Sequence, residues 1–323
     1  MKKFNKAKLL KNLNICIRNE KEDSKIKSIK SLNRGIFFCL TSKKNNMKNT
    51  QTYHELVQKM REFFLSKNFK EVPVQSRLSI LAACENPHSV KTFEYCGEQW
   101  PLPQTGQMWL EYELLKNPEW DGVFCISTSY REEKTPIPGR HDLIFPMFEV
   151  ETKGTKEDMV KLQAEMLEYL GFDTPKVVDY NQLCEHYGTE ILEAEHETKM
   201  WDEIGDSISL QNFPLRTNPF WNMQKGEGDK FQKVDVILFG QETIGSAERS
   251  CDKESMKEMF YTIEGGNYAG KLFELFGKER VEKDLEDFLS LDFFPRFGWG
   301  CGMTRLARAY ELNLQKKLSA EIA

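Results

Sequence analysis

The sequence predicts an α+β fold, a mainly antiparallel sheet flanked by helices, and three observations carry that prediction. Segments that read as strands come in pairs, 122–127 with 145–150 and 231–238 with 242–247, joined by loops bearing glycine or proline. Stretches with apolar residues at helical spacing or with alternating charge surround those pairs, as at 52–67 and 156–170. No internal repeat is visible, and the pattern runs without a break from about residue 50 to residue 323, as one domain.

Each element has its own reason. From Thr52 to Lys67, Leu56, Met60, Phe63 and Phe64 fall on one helical face, and Asn68 closes the helix. Residues 69–74 then read as a strand. A helix starts near Gln107 and runs to Leu115. Gly122 to Ser127 is a buried-type strand leading to Tyr130 and Arg131, and Phe145 to Val150 returns beside it as a long hairpin. Lys156 to Leu170 is a helix with alternating charge. Phe231–Leu238 and Glu242–Ala247 are strands. Ser255–Thr262 and Tyr268–Phe276 are helices, broken from each other by Gly265 and Gly266. Phe293 to Gly298 is a strand ended by glycine, and Met303 to Glu311 is a helix.

Composition excludes several classes. The chain has 323 residues and a formal net charge of -5, so it is not a general nucleic-acid binder, although local basic patches remain open. Eight cysteines form no CxxC pair and only five histidines accompany them, which argues against a zinc site or a disulfide framework and for a reducing interior. No run of about 18 apolar residues exists, so no membrane span is expected. Residues 1–47 are dense in Lys and Asn. They read as a disordered basic extension, as upstream sequence before a start at Met47, or as a tail that touches nucleic acid. The acidic residues among them do not suit a transit peptide, and the cytoplasm is the expected location.

Three clusters could carry chemistry. Gly298, Gly300 and Gly302 alternate along a strand, where a missing Cβ permits close approach of a flat ligand, and Arg305 follows at the start of a helix, where a phosphate can meet backbone N–H groups. Glycines at a sheet corner would look the same. Arg131, Glu133, Arg140, His141, Phe145, Glu149 and Glu151 gather around the loop 135–139, which by residue type alone reads as a solvated hairpin. Asp235 and Glu242 lie seven apart across a strand–turn–strand, a hard-oxygen pair suited to Mg²⁺ if the turn brings them together. Phe220 and Trp221 read as core, and Cys301 as a thiol tucked into its strand.

Taken in order, Gln107–Glu111, Arg131–Glu151, Asp235–Arg249 and Gly298–Leu306 resemble the catalytic core of class II aminoacyl-tRNA synthetases in the aspartyl, asparaginyl and lysyl subgroup. Asparaginyl enzymes, or their stand-alone asparagine-synthetase-like paralogues, are the nearest type, without the anticodon-binding domain. The resemblance implies the class II catalytic fold and ATP-dependent activation of an amino acid through an adenylate. It places Arg131 on the ATP α-phosphate and the substrate carbonyl, and Arg305 on the γ-phosphate, the two catalytic arginines. Glu133 would meet the adenine amino group, Phe145 would stack on the ring, and Arg140 and His141 would close over the β- and γ-phosphates. Gly302 and Glu242 complete the ATP site, with Asp235 and Glu242 holding Mg²⁺. The amino acid would be held by Glu85 and Gln107 at its ammonium, by Arg131, and by Arg249 at its side-chain oxygen, although a buried Arg249 could equally be a structural ion-pair member.

The chain departs from the family pattern in places. Gln75 stands where the family's motif 1 has proline, Ile144 where a Glu precedes the stacking Phe, and Gly245-Ser246-Ala247 where Gly-Gly-Ser is usual. Leu110 replaces the lysine of the aspartate enzymes, which favours an amide over a carboxylate substrate. The motif 1 resemblance implies a homodimer. The acceptor of the activated group stays open: tRNA, for asparagine; ammonia, giving asparagine from aspartate; or another acceptor, including a regulator that binds nucleotide or RNA.

Overall fold

The computed structural model describes residues 50–75, 77–81 and 86–322. The basic extension expected at 1–47 and the candidate Glu85 lie outside the described residues. Helix α1 (Thr50–Ser66) buries Leu56, Met60, Phe63 and Phe64, the face its spacing predicts. Strand β1 (Lys70–Glu71) is shorter than the expected 69–74. Val72 still donates its N–H to the Phe124 carbonyl, but Pro73 has none to give, and the ladder stops.

The remaining elements are β2 (Lys91–Tyr95), β3 (Glu98–Leu102), α2 (Gln107–Lys116), β4 (Gly122–Tyr130), β5 (Ile144–Lys153), α3 (Lys156–Tyr169), β6 (Lys176–Asp179), α4 (Tyr180–Tyr187), α5 (Ala194–Glu203), β7 (Ser207–Pro214), β8 (Lys230–Leu238), β9 (Gln241–Arg249), α6 (Lys253–Thr262), α7 (Asn267–Phe276), α8 (Lys278–Leu289), β10 (Arg296–Gly302) and α9 (Met303–Ile322). Eight strands form one sheet in the order β1-β4-β5-β10-β9-β8-β7-β6, and β2 and β3 form a separate hairpin. Within the large sheet the outer pairs, β1 with β4 and β6 with β7, are parallel, and every pair between them is antiparallel.

Period-two alternation divides the sheet's two faces. Phe124, Phe148, Val150, Phe297, Trp299, Val234 and Val236 turn to one face and pack against α1, α3 and α9. On the other face, α6, α7 and α8 bury Phe260, Tyr268 and Phe288 around Trp221. Phe220 and Trp221 are therefore core, as expected. Among the described residues no helix is long and apolar enough to cross a membrane.

The glycine strand is the main correction to the expected elements. It does not end at Gly298: β10 runs from Arg296 through all three glycines, paired with β5 on one side and β9 on the other. Hydrogen bonds on both edges hold the glycines extended, where an edge strand of that composition would fray. Gly298 lies opposite Glu151, and Gly300 opposite both Glu149 and Gly245. A Cβ at Gly298 would collide with the Glu151 carboxylate and sit 2.7 Å from the Val150 carbonyl oxygen. Gly298→Ala is therefore expected to cost about 1–3 kcal/mol, read as a lowered thermal midpoint. An unchanged midpoint would mean that the Glu151 side chain can move aside.

Candidate active site

β5, β10, β9 and β8 together floor a cavity of about 280 Å³. Gly245, Gly300 and Gly302 are among the strand residues that line it, together with many charged groups. Arg131, Glu133, Arg140, His141, Phe145, Gln107, Asp235, Glu242, Arg249, Gly302 and Arg305 all line it. The structure thus gathers the described candidates from four separate segments around one space.

Arg131 follows the last residue of β4, where its N–H donates to the Leu143 carbonyl at 2.8 Å. Its guanidinium stands over the Phe145 ring, 5.4 Å from the centroid, and Phe145 in turn approaches Gly302. The Arg131 Nε is buried without a hydrogen-bond partner among the described residues. His141 Nδ1 and Glu133 Oε2 are 2.6 Å apart, so the two loop residues pair with each other. Arg305, at the start of α9, donates to the carbonyls of Glu242 and Arg140 and lies 3.6 Å from the Glu242 carboxylate.

Two buried groups anchor the site from below. Glu149 is fully buried and accepts hydrogen bonds from Ser127 Oγ, Thr105 Oγ1 and the Gly106 N–H. It thereby fastens the N-terminus of α2, which presents Gln107 to the cavity. Burial raises the Glu149 carboxyl above its ordinary 4.5, and the donors only partly offset it. A carboxyl raised on folding contributes stability at acid pH, and that contribution is lost as pH climbs through the raised value. Glu149→Gln should therefore weaken the fall in urea midpoint that accompanies a rise in pH above the ordinary 4.5 of the carboxyl. An identical fall in both proteins would remove Glu149 as its source.

The second anchor is a buried quartet. Glu111, Glu151, Arg249 and Arg296 have no side-chain exposure. Arg249 donates from Nε and Nη2 to the two oxygens of Glu151 at 3.2 Å, and its Nε is 3.6 Å from Glu111. Arg296 reaches Glu111 at 2.7 Å and the Ser250 carbonyl at 3.2 Å. Arg249 is thus both a cavity-lining residue and a structural ion-pair member. Leu110 does not line the cavity: it is fully buried with Val72, Leu114, Val123 and Cys125, so a preference for an amide cannot be read from it. Cys301 faces the core, and burial pushes its thiol up to about 12.

Two residues of the site carry no signal in the sequence. Glu197, on α5, accepts from Arg140 Nη2 at 2.5 Å and from the Glu242 N–H at 2.7 Å, tying the loop to the start of β9. Lys233 lines the cavity with its ammonium 3.0 Å from Asp235 Oδ2.

Asp235 and Glu242 fit a magnesium ion. Asp235 Oδ1 is buried and has no hydrogen-bond partner among the described residues. A Cβ on Gly245 would lie 3.0 Å from Glu242 Oε1 and 3.7 Å from Asp235 Oδ1, so both oxygens face one gap that glycine leaves open. Two carboxylates leave the remaining positions of a hard cation to water and phosphate, the usual arrangement for Mg²⁺. Among the described residues no third His, Cys, Asp or Glu joins them. Burial pushes Asp235 up to about 7 against the pull of Lys233, with Glu242 adding to the rise. Burial also acts upward on Glu242, but Arg305, Lys233, Arg131 and Arg140 outweigh it and hold that carboxyl below its usual value.

Comparison with known proteins gives a consistent family. The model of "tRNA synthetases class II (D, K and N)" matches residues 33–311. The chain is 31% identical over 292 residues to an asparagine--tRNA ligase of Pelotomaculum thermopropionicum, and 29% identical over 288 residues to one of Desulforamulus reducens. Each alignment covers 78% of this chain and 63% of the relative, so the chain spans under two thirds of their length. Its fold is similar to that of asparaginyl-tRNA synthetase from Pyrococcus horikoshii complexed with asparaginyl-adenylate, with a TM-score of 0.68 at 17% identity over 82% of this chain and 65% of that one. The Entamoeba histolytica enzyme in complex with asparaginyl-adenylate gives 0.64 at 19% identity, over 90% and 69%.

Proposed function

The chain belongs to the class II tRNA synthetases of the D, K and N group, and from that premise we propose that its cavity joins ATP to asparagine as an aminoacyl-adenylate and passes the aminoacyl group to tRNA. The observation that carries this reading is the distribution of charge around one cavity. Arg131, Arg305, Arg140 and His141 offer cations, or potential cations, for a polyphosphate, while Gln107 and Arg249 offer polar contacts for a small amino acid. Residues 50–323 would be the catalytic domain, working as a homodimer.

In the activation step a carboxylate oxygen of the amino acid attacks the α-phosphorus of ATP in line. The bond from that phosphorus to the α,β-bridging oxygen breaks, and pyrophosphate leaves with the electron pair. Arg131 would bridge the attacking carboxylate and the α-phosphate, with a fork matched to charge spread over both. Arg305 and Arg140 would receive the departing pyrophosphate. The Phe145 ring would stack on the adenine, and Glu133 would accept from its amino group. Bound Mg²⁺, held by Asp235 and Glu242, would neutralise charge on the phosphates. In the second step a tRNA hydroxyl attacks the activated carbonyl and AMP leaves. No residue of the chain has to form a covalent intermediate.

The test is pyrophosphate exchange into ATP with Mg²⁺ and asparagine, aspartate or lysine, followed by label transfer to bulk tRNA. Exchange with asparagine and labelled tRNA without ammonia are the expected results. Pyrophosphate release that needs both aspartate and ammonia, with asparagine as product, would overturn the tRNA-ligase reading.

A further inference from the structure

The lysine beside the acid pair has a built place of its own. β7 and β8 are in register at Gln211 with Val234 and again at Phe213 with Phe231, with a bulge between. The extra residue is on β8, where Gln232 and Lys233 lie opposite Asn212 alone, and Asn212 takes a left-handed conformation with φ of 63°. Its side chain is held from both sides, donating to Asp179 at 3.0 Å and accepting from Lys156 at 3.1 Å. Phe213, next to the bulge, is buried and packed on Tyr180, with ring centroids 4.7 Å apart. The Lys233 ammonium sits over the Phe213 ring at 3.9 Å and beside Asp235 Oδ2 at 3.0 Å. Lys233 and Asp235 are two apart on β8, so their side chains leave the same face of the strand.

We infer that Lys233 is a resident cation of the carboxylate pair, holding Asp235 in the nucleotide-free protein and competing there with a divalent ion. This inference rests on the reading of Asp235 and Glu242 as the metal-holding acids. Each acid already has a protein cation, Lys233 for Asp235 and Arg305 for Glu242. A metal ion arriving alone must enter a site whose charge is matched and must contend with Lys233 for Asp235. A metal ion arriving with a triphosphate brings its own negative charge, which the ammonium can meet instead. Lys233 thus couples metal binding to nucleotide binding and sets a low affinity for the free ion.

The experiment is a Mn²⁺ titration of the nucleotide-free full chain, followed by the EPR signal of free Mn²⁺. Lys233→Met keeps an unbranched side chain over the Phe213 ring and removes the charge. It is expected to bind Mn²⁺ about tenfold more tightly than the wild type, and Lys233→Arg to stay close to wild type. On an Asp235→Asn background the gain from Lys233→Met should vanish, because the competition runs through that carboxylate. With a non-hydrolysable ATP analogue present, the gap between wild type and Lys233→Met should narrow. Lys233→Met protein that retains its near-UV circular dichroism and binds Mn²⁺ no more tightly overturns the inference. If Lys233→Met loses that signal, the same comparison is made with Lys233→Gln. A wild type that binds no ATP analogue in the presence of Mn²⁺ is a different failure, and overturns the nucleotide reading.

Discussion

Arg131→Ala is expected to lower amino-acid-dependent pyrophosphate exchange by on the order of 10³-fold while leaving the thermal midpoint nearly unchanged. The two halves of that expectation have separate causes. Arg131 has no carboxylate ion-pair partner among the described residues, and its Nε is buried without a hydrogen bond. Its removal leaves Glu242 with Arg305, Lys233 and Arg140, and within the protein it removes one of the cations acting on that acid and the stack on Phe145. The proposed reaction, in contrast, develops charge beside this guanidinium and has no other group placed to bridge carboxylate and α-phosphate. Arg131→Lys should fall between, since an ammonium restores the charge but not the planar fork. Exchange within tenfold of wild type in Arg131→Ala would remove Arg131 from the reaction and require the substrate to lie elsewhere in the cavity.

Arg296→Met carries the largest expected loss of stability, about 3–5 kcal/mol, measured by urea unfolding. Arg296 donates to Glu111 from both Nε and Nη2, and the whole group is sealed from solvent. Without it, Glu111 keeps the Asn222 amide at 2.7 Å and Arg249 at 3.6 Å. Glu111 would then draw on Arg249, which also serves Glu151 and lines the cavity. A fall in exchange activity should therefore accompany the loss of stability, although Arg296 itself does not line the cavity. Adding Glu111→Gln to Arg296→Met should recover part of the stability by removing the unpaired charge. A loss below about 1 kcal/mol in the single variant would mean that the quartet relaxes around the gap or admits water.

The parts of this fold that are legible in the sequence share a physical character. β4, β5 and β8 are long and largely apolar on one face, so period two is visible without any partner. The alternation of Phe297, Trp299 and Cys301 with three glycines is visible in the same way, but the full length of its strand is not. Only pairing on both edges, a long-range fact, keeps those glycines in the strand. The region from 176 to 217 escapes because its elements are short and depend on caps. α4 has eight residues, begins at the Asp179 carboxylate and ends at Gly188 in the left-handed region. That cap pair is a usable signal. So is the spacing of Val281, Leu285 and Phe288 on α8.

The candidate site divides along the same line. Arginines, glycines and acids in motif order are legible as a set. Lys233 is not, because a lysine in a strand ordinarily marks a solvated face, and its seat depends on the bulge of β8 opposite Asn212. Glu197 is not, because α5 brings it to Arg140 from 57 positions away in the sequence. Glu111 and Glu151 leave a weaker trace: acids within apolar runs that are fully buried need partners, and the partners are Arg249 and Arg296.

The position of β10 bears on how the protein is made. β9 is complete at Arg249, whereas β10 begins at Arg296, and yet β10 sits between β5 and β9. A chain emerging from the ribosome therefore holds two half-sheets, each with a bare inner edge, until the glycine strand arrives. Such edges offer unpaired backbone groups to any neighbouring chain, and slow long-range pairing extends their exposure. The helices α6, α7 and α8 are translated during this interval and can bury apolar surface early, but they cannot supply the missing hydrogen bonds. Insertion of one strand closes both edges, seats Arg296 against Glu111 and completes the cavity floor in a single event, so a nascent chain acquires its site only when its sheet becomes continuous.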